Sequence, residues 1–231
     1  MKRGLLLIGT LMSFSLFSQQ QFSIRDYANI GRYEKENKTL RLGRLPDVVF
    51  IGNSITEGWV YQSPDFFKQN NYIGRGIGGQ VSHQMLLRFR SDVIELRPTA
   101  VVILAGTNDI AQNAGPVNLE EIVSNIASMS ELAKSHGIIP ILCSVLPAKD
   151  YPWRPGLNPL EKIPKLNGMI KAYATKNGLL YVDYFAAMQD GKGGMKVPEH
   201  TTADDLVHPN KAGYTVMESV IKPIIEKTIK K

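Results

Sequence analysis

Asp47-Val48-Val49-Phe50-Ile51-Gly52-Asn53-Ser54-Ile55-Thr56 is the stretch from which the rest of the chain can be read. Val48 to Ile51 is an unbroken β-branched and aromatic run, the mark of a strand covered on both faces rather than one with a wet side. Such strands belong to parallel sheets, whose crossover connections lay helices over both faces. The same signal recurs outward from this point: weakly at Asn71–Gly74, most clearly at Thr99–Ala105 (TAVVILA), then at Ile138–Leu146 and Leu179–Val182, five strands in all. Helical stripes fill the gaps. Val81, Met85, Phe89 and Val93 repeat at i+4 ahead of Pro98, and Leu119, Ile122, Ile126, Met129 and Leu132 are closed by Gly137. Leu166, Ile170 and Tyr173 end at Asn177-Gly178, while Tyr214, Met217, Ile221, Ile224 and Ile225 predict a terminal helix. Tyr27, Ile30, Tyr33 and Leu40, in the polar stretch 22–46, predict a short amphipathic helix lying on the domain. With no internal repeat and no Pro/Gly/Ser-rich linker, residues 21–231 are expected to form one α/β domain.

Composition narrows the function classes. Across 231 residues, 43% hydrophobic and 21% charged is an ordinary globular balance. The net charge of +6 is spread along the chain without Lys/Arg blocks, which argues against a nucleic-acid partner. Lys2 and Arg3 precede an apolar stretch, Gly4 to Phe17, and then Ser18, Gln19 and Gln20, so residues 1–20 read as a cleaved secretory signal. The apolar run is shorter than the roughly 20 residues a spanning helix needs. The expectation is a secreted or periplasmic protein with no stable membrane insertion once the signal is removed. Cys143, the single cysteine, lies in an apolar run and reads as a small buried hydrophobe that makes no internal disulfide. The sequence carries no signal for an oligomeric state.

In a parallel α/β sheet, ligands bind beyond the carboxyl ends of the strands, and the reactive residue types of this chain fall there. Ser54 follows the first strand at a corner where its hydroxyl and N–H can face one pocket, although serine also caps helices. The G-x-S-x-G elbow is not met, because Thr56 stands where it requires glycine. After the second strand, Gly74-Arg75-Gly76-Ile77-Gly78-Gly79 matches G-x-G-x-x-G. A dinucleotide site would place that loop in the first βα unit with an acid about 20 residues on at the next strand end. Here Asp92 and Glu95 lie in a helical stripe instead, so the glycines are read as letting a backbone N–H approach a ligand. After the third strand, Asn108 in Gly106-Thr107-Asn108-Asp109 is an amide donor for a developing oxyanion, or an ordinary turn residue. Late in the chain, Asp204-Asp205-Leu206-Val207-His208-Pro209 sets an acid three residues before a histidine. Asp205 can fix the tautomer of His208 so that its other nitrogen takes a proton from Ser54. A rival reading gathers His200, Asp204, Asp205 and His208 around a metal, without an H-E-x-x-H or cysteine pair to support it. His83 and His136 lie in helical patterns and are expected at the surface.

Taken together and in this order, the four blocks resemble the SGNH hydrolase (GDSL-type esterase/lipase) superfamily, from about Val48 to Tyr214. The glycine block is Gly76-Ile77-Gly78-Gly79-Gln80, and Leu96-Arg97-Pro98 and Gly213-Tyr214 complete the likeness. The spacing is most similar to the branch holding the platelet-activating-factor acetylhydrolase catalytic subunits, bacterial secreted acylhydrolases and carbohydrate acetylesterases. Two positions depart from the pattern: Asn53 replaces the usual aspartate, and Asp204 adds an acid beside Asp205. The resemblance implies a flavodoxin-like three-layer α/β/α sandwich with a five-stranded parallel sheet. It implies a catalytic Ser54, Asp205 and His208, an oxyanion hole from Ser54, Gly79 and Asn108, and neither metal nor organic cofactor. The expected reaction is hydrolysis of short acyl esters, foremost acetyl groups on carbohydrates, so the partner is a small-molecule or oligosaccharide ester. A lipid-type acylhydrolase on the same triad and a non-catalytic carbohydrate-binding protein are the alternatives. The segment Leu146–Pro159 supplies Tyr151, Trp153 and Arg154, types suited to a sugar ring and its hydroxyls; the other reading is a proline-stiffened loop with its aromatics packed down.

Overall fold

The computed structural model describes residues 23–230, so the segment 1–20 read as an export signal lies outside the described residues. Two short helices come first, α1 (Ile24–Tyr27) and α2 (Glu34–Leu42), where the sequence suggested one. Then follow β1 (Val48–Gly52), α3 (Ser54–Gln62), α4 (Pro64–Gln69), β2 (Tyr72–Gly76) and α5 (Ser82–Asp92). After a 3₁₀ turn come β3 (Ala100–Ile103), α6 (Thr107–Ile110), α7 (Leu119–Ser135), β4 (Ile139–Cys143) and α8 (Pro159–Lys176). β5 (Leu180–Val182), α9 (Tyr184–Met188) and α10 (Lys211–Ile229) close the chain. The five strands stand where the apolar runs put them. The short helices α3, α4, α6 and α9 were not visible as stripes, because four to nine residues offer too few turns to show a period.

All five strands are parallel, in the order β2-β1-β3-β4-β5. The chain therefore steps from β1 outward to β2, then crosses back to lay β3 on the other side of β1. That reversal opens a crevice at the carboxyl ends of β1 and β3. The architecture is the flavodoxin-like α/β/α sandwich.

Side chains alternate between the two faces of the sheet. Val49, Ile51, Val101 and Ile103 pack with Met85 and Phe89 of α5, Ile122 and Ile126 of α7 and Leu166 and Ile170 of α8. Val48, Phe50 and Val102 pack with α3, α4, α9 and α10 through Trp59, Phe66, Tyr184, Tyr214 and Met217. Trp59 is the hub of the second face. Its ring stacks on Phe66 at 5.5 Å and on Tyr214 at 5.8 Å and meets Phe50 edge-on at 5.4 Å. Its Nε1–H donates to Glu218 at 3.0 Å. Trp59→Ala is therefore expected to lower the unfolding free energy by about 3–5 kcal/mol. Urea unfolding at unchanged m would show it, and a loss below about 1 kcal/mol would mean that the ring cluster contributes little.

Candidate active site

Ser54 opens α3 directly after β1, half-buried at the crevice. The turn is held by Asn53, whose Oδ1 accepts the Ile55 N–H at 3.0 Å. An aspartate would cap in the same way, so the departure at this position keeps the acceptor the corner needs. Ser54 Oγ lies 2.8 Å from His208 Nε2. On the far side of the ring, Nδ1 faces both carboxylate oxygens of Asp205, at 2.8 and 3.0 Å. An ionised carboxylate only accepts, so the proton sits on Nδ1 and Nε2 is left to accept from the serine hydroxyl. Asp205 also accepts the backbone N–H groups of His208 (2.7 Å) and Val207 (3.1 Å). Partial burial pushes its carboxyl up, but these N–H groups and the His208 ring outweigh that, and the net shift is below the ordinary carboxylate range. The acid is thus held charged, behind the ring it orients. The adjacent Asp204 is exposed.

The glycine loop crosses in front of Ser54. A Cβ on Gly76 would lie 2.1 Å from the Glu57 backbone nitrogen, so the end of β2 can rest on the first turn of α3 only as glycine. Gly79 has φ +75, a left-handed conformation, and is exposed. Beyond it, the buried Gln80 is held on three sides. Its Oε1 accepts from Arg88 Nε at 2.6 Å, its amide donates to the Ala28 carbonyl at 2.7 Å, and its own carbonyl accepts from Asn108 Nδ2 at 3.0 Å. That last bond uses one of the two N–H groups of the Asn108 amide. Asp109 locks the same turn to α5 by accepting the Ser82 N–H at 2.9 Å and the Ser82 hydroxyl at 2.5 Å. Arg88, fully buried, donates to Gln80, Asp92 and the Gly52 carbonyl, and so ties the end of β1 to the glycine loop. Sequence reading passed over Arg88 because an arginine in an amphipathic helix reads as a solvated charge.

In the loop after β4 the three candidate residues have different surroundings, and burial corrects the expectation for Tyr151. Tyr151 is 0% exposed and offers no face to a sugar; it packs under Trp153 at 5.1 Å between ring centroids. Trp153 is 45% exposed, with its indole 6.3 Å from the His208 ring and its Nε1–H on Asn113 Oδ1 at 3.2 Å. Arg154 turns toward the β3 loop and donates to the carbonyls of Ala111 and Gln112. Aromatic type alone does not say which ring turns inward. Asn113, which joins Trp153 to the Gly79 carbonyl (3.3 Å), is a rim residue the sequence did not single out.

The remaining histidines separate cleanly. His200 is buried, with Nδ1 3.2 Å from the Met188 carbonyl oxygen. Among the described residues no three His, Cys, Asp or Glu side chains stand together as a metal site, so the grouping of His200 with Asp204, Asp205 and His208 is not assembled. His83 is not a free surface residue: half-buried, its ring stacks on Tyr27 at 5.7 Å and its Nε2 is hydrogen bonded to the Tyr27 hydroxyl. His136 is exposed, as expected. Cys143 is buried at the end of β4, where desolvation pushes its thiol up.

A hydroxyl, an imidazole and a carboxylate in line at the carboxyl end of the sheet define a site fit for acyl transfer. The chain belongs to the GDSL-like lipase/acylhydrolase family, whose model matches residues 50–216. A GDSL-like lipase from Bacteroides thetaiotaomicron VPI-5482 is 49% identical, with a TM-score of 0.81 over 87% of this chain and 98% of that one. A proposed acylhydrolase from Bacteroides fragilis NCTC 9343 is 48% identical, with a TM-score of 0.83 over 88% of this chain and 99% of that one. An uncharacterized lipoprotein of Bacillus subtilis (strain 168), YqeF, is 30% identical over 118 residues, 44% of this chain and 49% of that protein. The match thus spans about half the length of this curated relative. An acetylxylan esterase from Geobacillus stearothermophilus shares the fold at 21% identity, with a TM-score of 0.62 over 77% of this chain and 93% of that one. No helix among the described residues is long and apolar enough to cross a membrane.

Proposed function

We propose that this acylhydrolase is a serine esterase for short acyl groups, foremost acetyl esters of carbohydrates. The observation that carries the reaction is the Ser54–His208–Asp205 line, with 2.8 Å at both of its joints. Ser54 Oγ attacks the ester carbonyl as His208 Nε2 takes its proton. The imidazolium gives that proton to the leaving alcohol; a water, deprotonated by the same nitrogen, then attacks the acyl-serine, and the imidazolium passes the proton to Ser54 Oγ as the acid leaves. Asp205 keeps the ring oriented and stabilises its charged form. The N–H groups of Ser54 and Gly79 and the remaining Asn108 amide hydrogen receive the oxyanion, each such donor being worth about a hundredfold or more. The reaction needs neither metal nor organic cofactor. Residues 1–20 are proposed to act as an export signal, in keeping with the lipoprotein nature of the Bacillus relative.

The substrate reading is supported by the walls beside the serine. An exposed indole next to the general base suits the apolar face of a pyranose. Acetyl esters are expected to exceed octanoyl esters at least tenfold in kcat/KM, and Trp153→Ala to raise KM several-fold on acetylated xylo-oligosaccharide but not on p-nitrophenyl acetate. A preference for octanoyl would transfer the assignment to a lipid-type acylhydrolase. Absence of turnover on every ester would favour a carbohydrate-binding protein.

A further inference from the structure

Gly79 contributes only its backbone to the site, and nothing lies within 4 Å of where a Cβ on it would stand. Its N–H direction is therefore set by the turn that carries it, closed by the Gln80 N–H on the Ile77 carbonyl at 3.3 Å, and by what holds its two neighbours. On one side Gln80 is buried and fixed by Arg88, Ala28 and Asn108. On the other side Gly78 is exposed, and its own N–H leaves the turn to donate to Glu57 Oε2 at 2.9 Å. Glu57 sits on α3 one turn after Ser54, so this bond fastens the loop to the same helix that presents the serine. The loop passes close by, since a Cβ on Gly78 would lie 4.0 Å from Ser54 Cβ. The other Glu57 oxygen receives Arg32 Nη2 at 3.2 Å, the two side chains being 25% and 42% exposed respectively. A bare carboxylate beside a developing oxyanion would oppose it, and the guanidinium offsets that charge while leaving the acceptor in place.

We infer that Glu57 is a positioning residue: it sets the distance between the Gly79 N–H and Ser54, and it acts by accepting one hydrogen bond. This rests on the proposed roles of Ser54 as the nucleophile and Gly79 as an oxyanion donor. A misplacement of about 1 Å in such a site can cost about a hundredfold in rate. Glu57→Ala is thus expected to lower kcat on p-nitrophenyl acetate at least tenfold, with KM within about threefold of the parent. Glu57→Gln keeps an oxygen where Gly78 needs it and is expected to recover kcat to within about threefold. Phenylboronic acid, whose tetrahedral serine adduct places an oxygen among the same donors, should bind Glu57→Ala more weakly by about the factor lost in kcat. A structural role alone would move thermal stability without linking kcat to boronate affinity. Full kcat in Glu57→Ala, or equal loss in the alanine and glutamine variants, overturns the inference. If Ser54→Ala retains turnover, the underlying reading falls with it; if Ser54→Ala is inactive while Glu57→Ala is fully active, only the role of Glu57 falls.

Discussion

Ser54→Ala is expected to reduce turnover of p-nitrophenyl acetate by about 10⁶-fold, the scale seen when the nucleophile of such a triad is removed. The loss should be confined to chemistry. Ser54 is half-buried at a helix start, its turn is capped by Asn53 rather than by its own hydroxyl, and alanine keeps the backbone N–H. Thermal unfolding should therefore stay close to that of the parent. A serine-directed organophosphonate should label the parent once per chain and the variant not at all. Full labelling of the variant would place the nucleophile elsewhere and remove the basis of the proposed mechanism.

Asp205→Asn is expected to lower kcat at least a hundredfold and as much as about 10⁴-fold, because an amide facing Nδ1 no longer selects the productive tautomer. Asp204→Asn should change kcat less than about tenfold. The two carboxylates are neighbours in sequence but not in environment: Asp205 accepts from the His208 ring and two backbone N–H groups, and Asp204 is exposed. The depressed Asp205 pKa has a consequence of definite sign. The stability it contributes is present above the unfolded-state carboxylate pKa and is lost as the pH falls through the lower folded value. Asp205→Asn should accordingly flatten the acid limb of the stability profile, whereas Asp204→Asn should leave it in place. Kinetic effects in the opposite order would reassign the orienting acid.

The strands were legible because a strand buried on both faces must be apolar without interruption, and Val48–Ile51 and Ala100–Ile103 are. The acid–histidine pair was legible because three residues of separation are enough for a side chain to turn back on a ring. Tertiary burial was not legible. Arg88 lies in a stripe with Met85 and Phe89 and is as buried as they are, because the Gly52 carbonyl and Gln80 come from outside α5 to meet its donors, beside Asp92 one turn along the same helix. Glu57 has the pattern of an ordinary charge on a helix, and only the approach of β2 through Gly76 brings Gly78 within its reach. Tyr151 and Trp153 stand two residues apart in one loop, yet Tyr151 is enclosed while Trp153 faces solvent beside His208.

The chain has two tryptophans, and they stand in opposite surroundings. Trp59 is sealed among five aromatic rings of the core, and Trp153 is open to solvent with an imidazole against it. Emission from Trp59 is expected to report on whether the molecule is folded, and emission from Trp153 on what occupies the crevice. The protein thus carries separate intrinsic optical probes of its integrity and of its occupancy, distinguishable by wavelength and by access to a soluble quencher, with no dye attached.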